Sequence, residues 1–249
     1  MCAIAIADII EGLSPAEIME TVRRARRIAR QAAHALSIDD IKTAALPELE
    51  LSPSSRYRVA VHEAGHVASA IFGGLGRVNS VRIGGRDGSG GVTNMVFDSD
   101  DLVTRSVVED RVTSLLSGRA AEIVLLGAAS SGAGGSDRSD LALATRMLAA
   151  MEMSYGLGDE RLVYLVAAEE AQAEIRKDPA ARRRIDEILI RLQERAITIV
   201  REHRSCVVAI AEALVSRRFL SAEEIDAVVT ASKANSEDEF RADAPGRPS

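Results

Sequence analysis

A mainly α fold (α+β), a helical domain with one small β-sheet or hairpin beside a long buried helix, is predicted by three features of this 249-residue sequence. Most of the chain repeats apolar residues at helical spacing. Helix starts are marked by capping patterns and by proline at first helical positions. Only the stretch from Val78 to Phe97 reads as two strands around a glycine-rich turn. With aromatic residues at 3% and no tryptophan, the core has to be built from Ala, Leu, Ile and Val.

Bulk composition removes several function classes. A formal charge of −6 argues against a general nucleic-acid partner. Cys2 and Cys206 are too few for a disulfide framework and are not spaced as metal ligands. Residues 1–10 lack a basic n-region, and no run of 18 apolar residues occurs, so neither a signal peptide nor a membrane span is expected and the expected location is cytoplasmic.

Residues 1–50 form a helical lead-in. Ser14-Pro15-Ala16-Glu17 opens a helix running to about Ala35 that carries Arg23, Arg24, Arg26, Arg27 and Arg30, and Ser37-Ile38-Asp39-Asp40 opens a second one ending near Leu46. Acidic neighbours such as Glu17, Glu20, Asp39 and Asp40 favour a solvated or subunit-facing helix over phosphate binding. Pro47 to Ser55, with two prolines, is the boundary to the main domain, residues 55–230.

The main domain begins with the stretch that carries chemistry. Val59-Ala60-Val61-His62-Glu63-Ala64-Gly65-His66 puts two imidazoles at i and i+4 on one helix face, where both can reach one Zn²⁺, with a carboxylate beside them for proton transfer. Surface histidines produce such a pair by accident, but the apolar neighbours Val59, Ala60, Ala64, Val67 and Ala68 mark this helix as buried. Buried imidazoles and carboxylates need partners. Gly65, costly within a helix, signals a close approach by another segment. His34 and His203 lie far away in sequence, His203 reading as a packing or cap residue, so a carboxylate is the expected third ligand.

After this helix, Val78 to Ile83 and Val92 to Phe97 read as strands, and the intervening glycines are no P-loop because no Gly-Lys-Ser/Thr follows. Residues 100–126 form a long amphipathic helix whose end holds Glu122, either an orienting partner for a metal ligand or an exposed carboxylate. The small-residue loop from Gly127 carries Asp137 and Asp140. Asp140 falls in the first turn of the next helix, and an N-cap role fits either acid. A short helix near Glu169 follows, then a long one from Pro179. Ser221-Ala222-Glu223-Glu224 caps another helix ending near Val229, and residues 231–249 are expected to be a disordered tail.

In order, His62-Glu63-Ala64-Gly65-His66, Gly118-Arg119-Ala120-Ala121-Glu122, Ser131-Gly132-Ala133 with Asp140-Leu141 and Ala144-Thr145, and Tyr155-Gly156-Leu157 resemble the peptidase domain of FtsH-like ATP-dependent zinc metalloproteases. The resemblance implies zinc held by His62, His66 and Asp140, with Glu63 as general base and Glu122 in support. Here the loop Gly134 to Ser139 is longer than the family's usual spacing, which makes Asp137 the competing ligand. The lead-in resembles the last helices of the AAA+ lid. No Walker elements precede it, so the chain resembles an excised fragment or an ATPase-less relative.

The expected activity is zinc-dependent endopeptidase action on unfolded or extended polypeptides, aligned along the strand Val92 to Phe97. The resemblance further implies a homo-oligomer, six-membered rings being the family's form, and an ATPase module in a longer form or as a partner. The same residues also fit a non-catalytic, zinc-stabilised adaptor or assembly module, or a zinc hydrolase acting on small molecules.

Overall fold

The structure, a computed structural model, describes residues 2–10, 12–84, 90–97, 102–158 and 162–242, with backbone alone at 2–5 and 235–242. Ten α-helices and three strands follow one another among the described residues: α1 (Cys2–Ile10), α2 (Pro15–Gln31), α3 (Ile38–Ala45), α4 (Pro53–Gly73), β1 (Arg77–Ile83), β2 (Gly91–Val96), α5 (Arg105–Leu126), α6 (Asp140–Met153), α7 (Ala171–Glu174), α8 (Pro179–Glu202), α9 (Arg204–Arg217), β3 (Phe219–Ser221) and α10 (Ala222–Ala242). A single 3-10 turn, Ser131–Ala133, precedes α6. The fold is the mainly α one that the periodicity predicts. Among the described residues no helix is long and apolar enough to cross a membrane.

Helix α4 is the axis on which the rest is packed. Ser52 caps it by accepting from the Ser55 amide, Pro53 starts it, and Gly74, in the left-handed region at φ 63°, ends it. Every residue from Ala60 to Ala70 is buried, the pattern of a helix surrounded on all sides. Helices α5, α8 and α9 and strands β1 and β2 surround it. Small side chains make that possible: a Cβ on Gly65 would lie 2.3 Å from the Ser117 carbonyl oxygen of α5. The surrounding core is Ala, Val, Leu and Ile, with Val61, Val67, Leu148, Leu192, Ile210 and Leu214 fully buried.

The sheet is antiparallel, in the order β2-β1-β3, with a register irregularity between Val78 and Ser80. Strand β2 pairs with β1 from Arg77↔Val96 to Ile83↔Gly91, and its other edge is free of strand partners among the described residues. The hairpin reading of 78–97 is therefore matched, its turn at 85–89 lying outside the described residues. The third strand is an addition. Arg218, at φ 63°, ends α9, and Phe219–Ser221 runs back along β1 before the Ser221/Glu224 capping box opens α10.

Two segments differ from expectation. Disorder is predicted from residue 231, yet α10 continues to Ala242, the last described residue. Residues 231–242 contain neither Pro nor Gly, Ser232 is buried, and the Lys233 ammonium lies 5.3 Å from the Phe72 ring centroid. The long helix from Pro179 is broken at His203, whose ring stacks on Phe72 at 3.9 Å. The lead-in rests on the main domain through Ile9, Leu46 and Phe219, with Asp8 accepting from Ser80 at 2.7 Å and Lys42 pairing with Glu224 at 3.1 Å. Helix α2 packs on α3.

Because the Gly65 contact is with backbone, which has no side chain to move aside, Gly65→Ala should destabilise the fold by about 1–3 kcal/mol. Chemical denaturation followed by far-UV circular dichroism measures it; an unchanged midpoint would mean that α4 and α5 are not held at this distance in solution.

Candidate metal centre

His62 and His66 lie one turn apart on α4, with ring centroids 4.9 Å apart and rings at 70° to each other. Each ring is fixed from behind by its Nδ1. His62 donates from Nδ1 to Glu122 Oε1 at 2.9 Å, and His66 donates from Nδ1 to the Ser114 carbonyl oxygen at 2.9 Å. A carbonyl can only accept, and Glu122 is ionised, so the proton of each neutral ring belongs on Nδ1 and the Nε2 lone pair is left facing the cleft.

Helix α5 supplies this backing, which explains the Gly118-Arg119-Ala120-Ala121-Glu122 string. A Cβ on Gly118 would lie 2.4 Å from His62 Nε2, so only glycine leaves room for the ring. One turn later, Glu122 reaches His62 Nδ1. The Glu122 carboxylate is 1% exposed and spends its second oxygen on Arg58 Nη1 at 2.8 Å and the Ser130 amide at 2.7 Å. Burial works to raise its pKa, but the hydrogen bonds from His62, Arg58 and Ser130 prevail and hold it at about 2. Of the two sequence readings of Glu122, the orienting partner is the one that matches this geometry.

Asp140 comes from the opposite wall, at the first position of α6. Its Oδ2 lies 3.1 Å from His62 Nε2 and 3.6 Å from His66 Nε2. Among the described residues, His62, His66 and Asp140 are the group whose ligand atoms all fall within 4.8 Å of one another. Asp137 is exposed and borders a separate depression with Gly134 and Thr145. Two imidazole nitrogens and one carboxylate oxygen, with the far ring nitrogens already hydrogen-bonded, are a donor set that suits Zn²⁺.

Electrostatics point the same way. Burial opposes a charged His62, yet the carboxylates of Asp140 and Glu122 outweigh it and raise its pKa to about 10. The Asp140 carboxyl is held far below the usual range against its own burial by His66 and His62. Positive charge is therefore strongly favoured at the point where the three side chains meet.

Glu63 is buried beside the pair, and its Oε2 accepts from Thr93 Oγ1 of β2 at 2.7 Å. Gly91 of β2 lies against it, a Cβ there falling 2.6 Å from Glu63 Oε1. All four predicted site residues thus line one cleft of about 690 Å³, walled by the start of α4, the start of β2 and the loop before α6. Sequence reasoning missed Thr93, Ser114, Arg58 and Ser130. Only their partners' positions reveal them, and no local pattern marks them.

Since Glu122 orients the His62 ring, Glu122→Ala should lower zinc affinity by about 10- to 100-fold while the fold is kept. Competition with a chromophoric chelator reads this directly; unchanged affinity would remove the orienting role.

Comparison with known proteins agrees with these features. The model of peptidase family M41 matches residues 49–228. Similar proteins include the ATP-dependent zinc metalloprotease FtsH 3 of Sorangium cellulosum, 32% identical over 237 residues that make up 89% of this chain and 38% of that protein. FtsH 1 of the same organism is 36% identical over 192 residues, 73% of this chain and 31% of that protein. FtsH 2 of Symbiobacterium thermophilum is 32% identical over 189 residues, again 73% of this chain and 31% of the relative. The chain thus spans less than two-fifths of the length of these relatives. Two histidines on a buried helix faced by an aspartate from the start of α6, in a chain that the family's model matches over most of its length, place this protein in peptidase family M41.

Proposed function

We propose that the chain is a zinc-dependent endopeptidase acting on unfolded or extended polypeptides, with His62, His66 and Asp140 as metal ligands and Glu63 as general base. The observation that carries this reading is the convergence of the three donors in an open cleft that also holds a buried carboxylate and the edge of a sheet. A bound Zn²⁺ supplies Lewis acidity toward the scissile carbonyl and toward water.

The chain's own residues supply the rest. Glu63, steadied by Thr93, takes a proton from the attacking water and delivers it to the leaving amine. The new carbon–oxygen bond replaces the carbon–nitrogen bond, and the proton count closes. Strand β2 presents the backbone groups of its free edge to an extended chain, which aligns substrate without reading its side chains. Glu122 and the Ser114 carbonyl hold the imidazoles so that little reorganisation is needed.

Substituting Glu63→Gln should leave the ligands in place and cut hydrolysis of an unfolded substrate such as casein by about 10²- to 10⁴-fold. Metal analysis together with the assay tests it: retained zinc with native turnover would dismiss Glu63 as the base.

Assembly belongs to the same proposal. The stretch Leu162 to Leu165 exposes Leu162 at 91% and Tyr164 at 72%, with Tyr155 half exposed nearby in sequence. Apolar side chains grouped in this way mark interaction surfaces, which supports a homo-oligomer, a six-membered ring being the expected form. Folded substrates would then require an ATPase module, carried on a longer form or by a partner. Sedimentation equilibrium at micromolar concentration should give a mass several times that of one chain, and a monomer would refute the assembly.

A further inference from the structure

We propose that Arg138 binds a carboxylate of the substrate close to the bond being cleaved, and so gives this cleft a preference for acidic sequence at one position. The inference rests on the peptidase reading above and adds side-chain selectivity to it. Among the described residues, five charged side chains besides the histidines line the cleft: the carboxylates Glu63, Glu122 and Asp140 and the guanidiniums Arg58 and Arg138. Four are committed. Arg58 donates to Glu122 at 2.8 Å and to the Ala128 carbonyl oxygen at 2.9 Å, Asp140 faces the two imidazoles, and Glu63 accepts from Thr93.

Arg138 is different. Its backbone is fixed, since its amide donates to Ser136 Oγ at 3.3 Å and the next residue, Ser139, donates from Oγ to the Ser136 carbonyl oxygen at 2.7 Å. Arg146 of α6 ties the loop from below by donating to the Asp137 carbonyl oxygen at 3.1 Å. Yet among the described residues no hydrogen bond or ion pair engages the Arg138 guanidinium. An anchored backbone carrying an uncommitted cation at the rim of a cleft is suited to a ligand carboxylate.

The adjoining helix start adds to the field. Ser139, the N-cap of α6, makes no side-chain cap bond, and Ser139 and Asp140 both line the cleft. The partial positive charge of that terminus acts in the same sense as Arg138. Arg138 stands two positions before Asp140 and lines the same cleft as the three donors, so the position read is one of those flanking the cleaved bond. The carboxylate can come from an Asp or Glu side chain or from a chain end.

The test uses the zinc-loaded protein and C-terminally amidated peptides carrying Asp, Asn or Lys at each of the two positions on either side of the cleaved bond, with free-carboxylate versions in parallel. At one position Asp should exceed Asn in kcat/KM by about fivefold, and the ratio should shrink in about 0.5 M salt. Arg138→Glu should turn the preference toward Lys. A preference in the amidated set identifies a side-chain carboxylate, and one confined to the free-ended set identifies a chain end. Fluorescence anisotropy of the same peptides on the Glu63→Gln protein should give the same order without turnover. Equal Asp, Asn and Lys ratios in the native protein, or a native ratio surviving in Arg138→Glu, would overturn the inference. If zinc is retained and nothing is cleaved, the peptidase reading falls, and the binding arm still decides on Arg138.

Discussion

The close approach of α4 and α5 is the constraint on which the site depends. Gly65 meets the Ser117 backbone and Gly118 meets the His62 ring, so two helices touch through positions that have no side chain. Each glycine costs about 1 kcal/mol relative to alanine in a helix interior. What that cost secures is distance: the two Nδ1 atoms reach acceptors on α5, one a carboxylate and one a backbone carbonyl, at 2.9 Å each. Ring orientation and tautomer are then set by the packing of the core, before any ion or substrate arrives.

This arrangement also accounts for the charge balance. Glu122 is buried with three donors around it, so it remains an anion and polarises His62 from behind. Asp140 approaches from the front with its carboxyl held ionised. Between two carboxylates, His62 takes a proton readily, and its raised pKa of about 10 expresses how strongly that point attracts positive charge. A divalent ion and a proton compete for the same lone pairs, so the electrostatic demand met by one is available to the other.

Legibility in the sequence followed the range of the interactions. The capping boxes at Ser14 and Ser221 and the proline starts at Pro15 and Pro179 involve neighbours within one turn, and each marks a helix start in the structure, whereas Pro53, which reads as part of the linker, in fact starts α4. The i, i+4 histidines are equally local. Strand β3 was not legible: three residues carry no period, and Phe219 to Ser221 become a strand only because β1, far back in the chain, offers an edge. The helical course of residues 231–242 was obscured in a similar way, since their polar composition reads as solvated while Ser232 and Lys233 find contacts on the main domain. Glu122 stood open between two roles for the same reason. Its spacing places it on α5, but only the fold places Arg58, Ser130 and His62 around it.

The sheet and α4 are joined by a second pair of glycines, whose positions bring the start of β2 against Glu63. A Cβ on Gly90 would lie 2.9 Å from Val59, and one on Gly91 would lie 2.6 Å from Glu63, so β2 begins directly on the surface of α4. Side chains alternate along a strand, which puts Thr93 on the same face as Gly91. That face is the one turned to α4, and Thr93 hydrogen-bonds the Glu63 carboxylate. In the proposed reaction, the strand whose edge receives an extended polypeptide is therefore also the strand that steadies Glu63. A shift of β2 relative to α4 would displace the strand edge and the Thr93 contact to Glu63 together, so in the proposed reaction one element carries both the substrate alignment and the support of the proton acceptor.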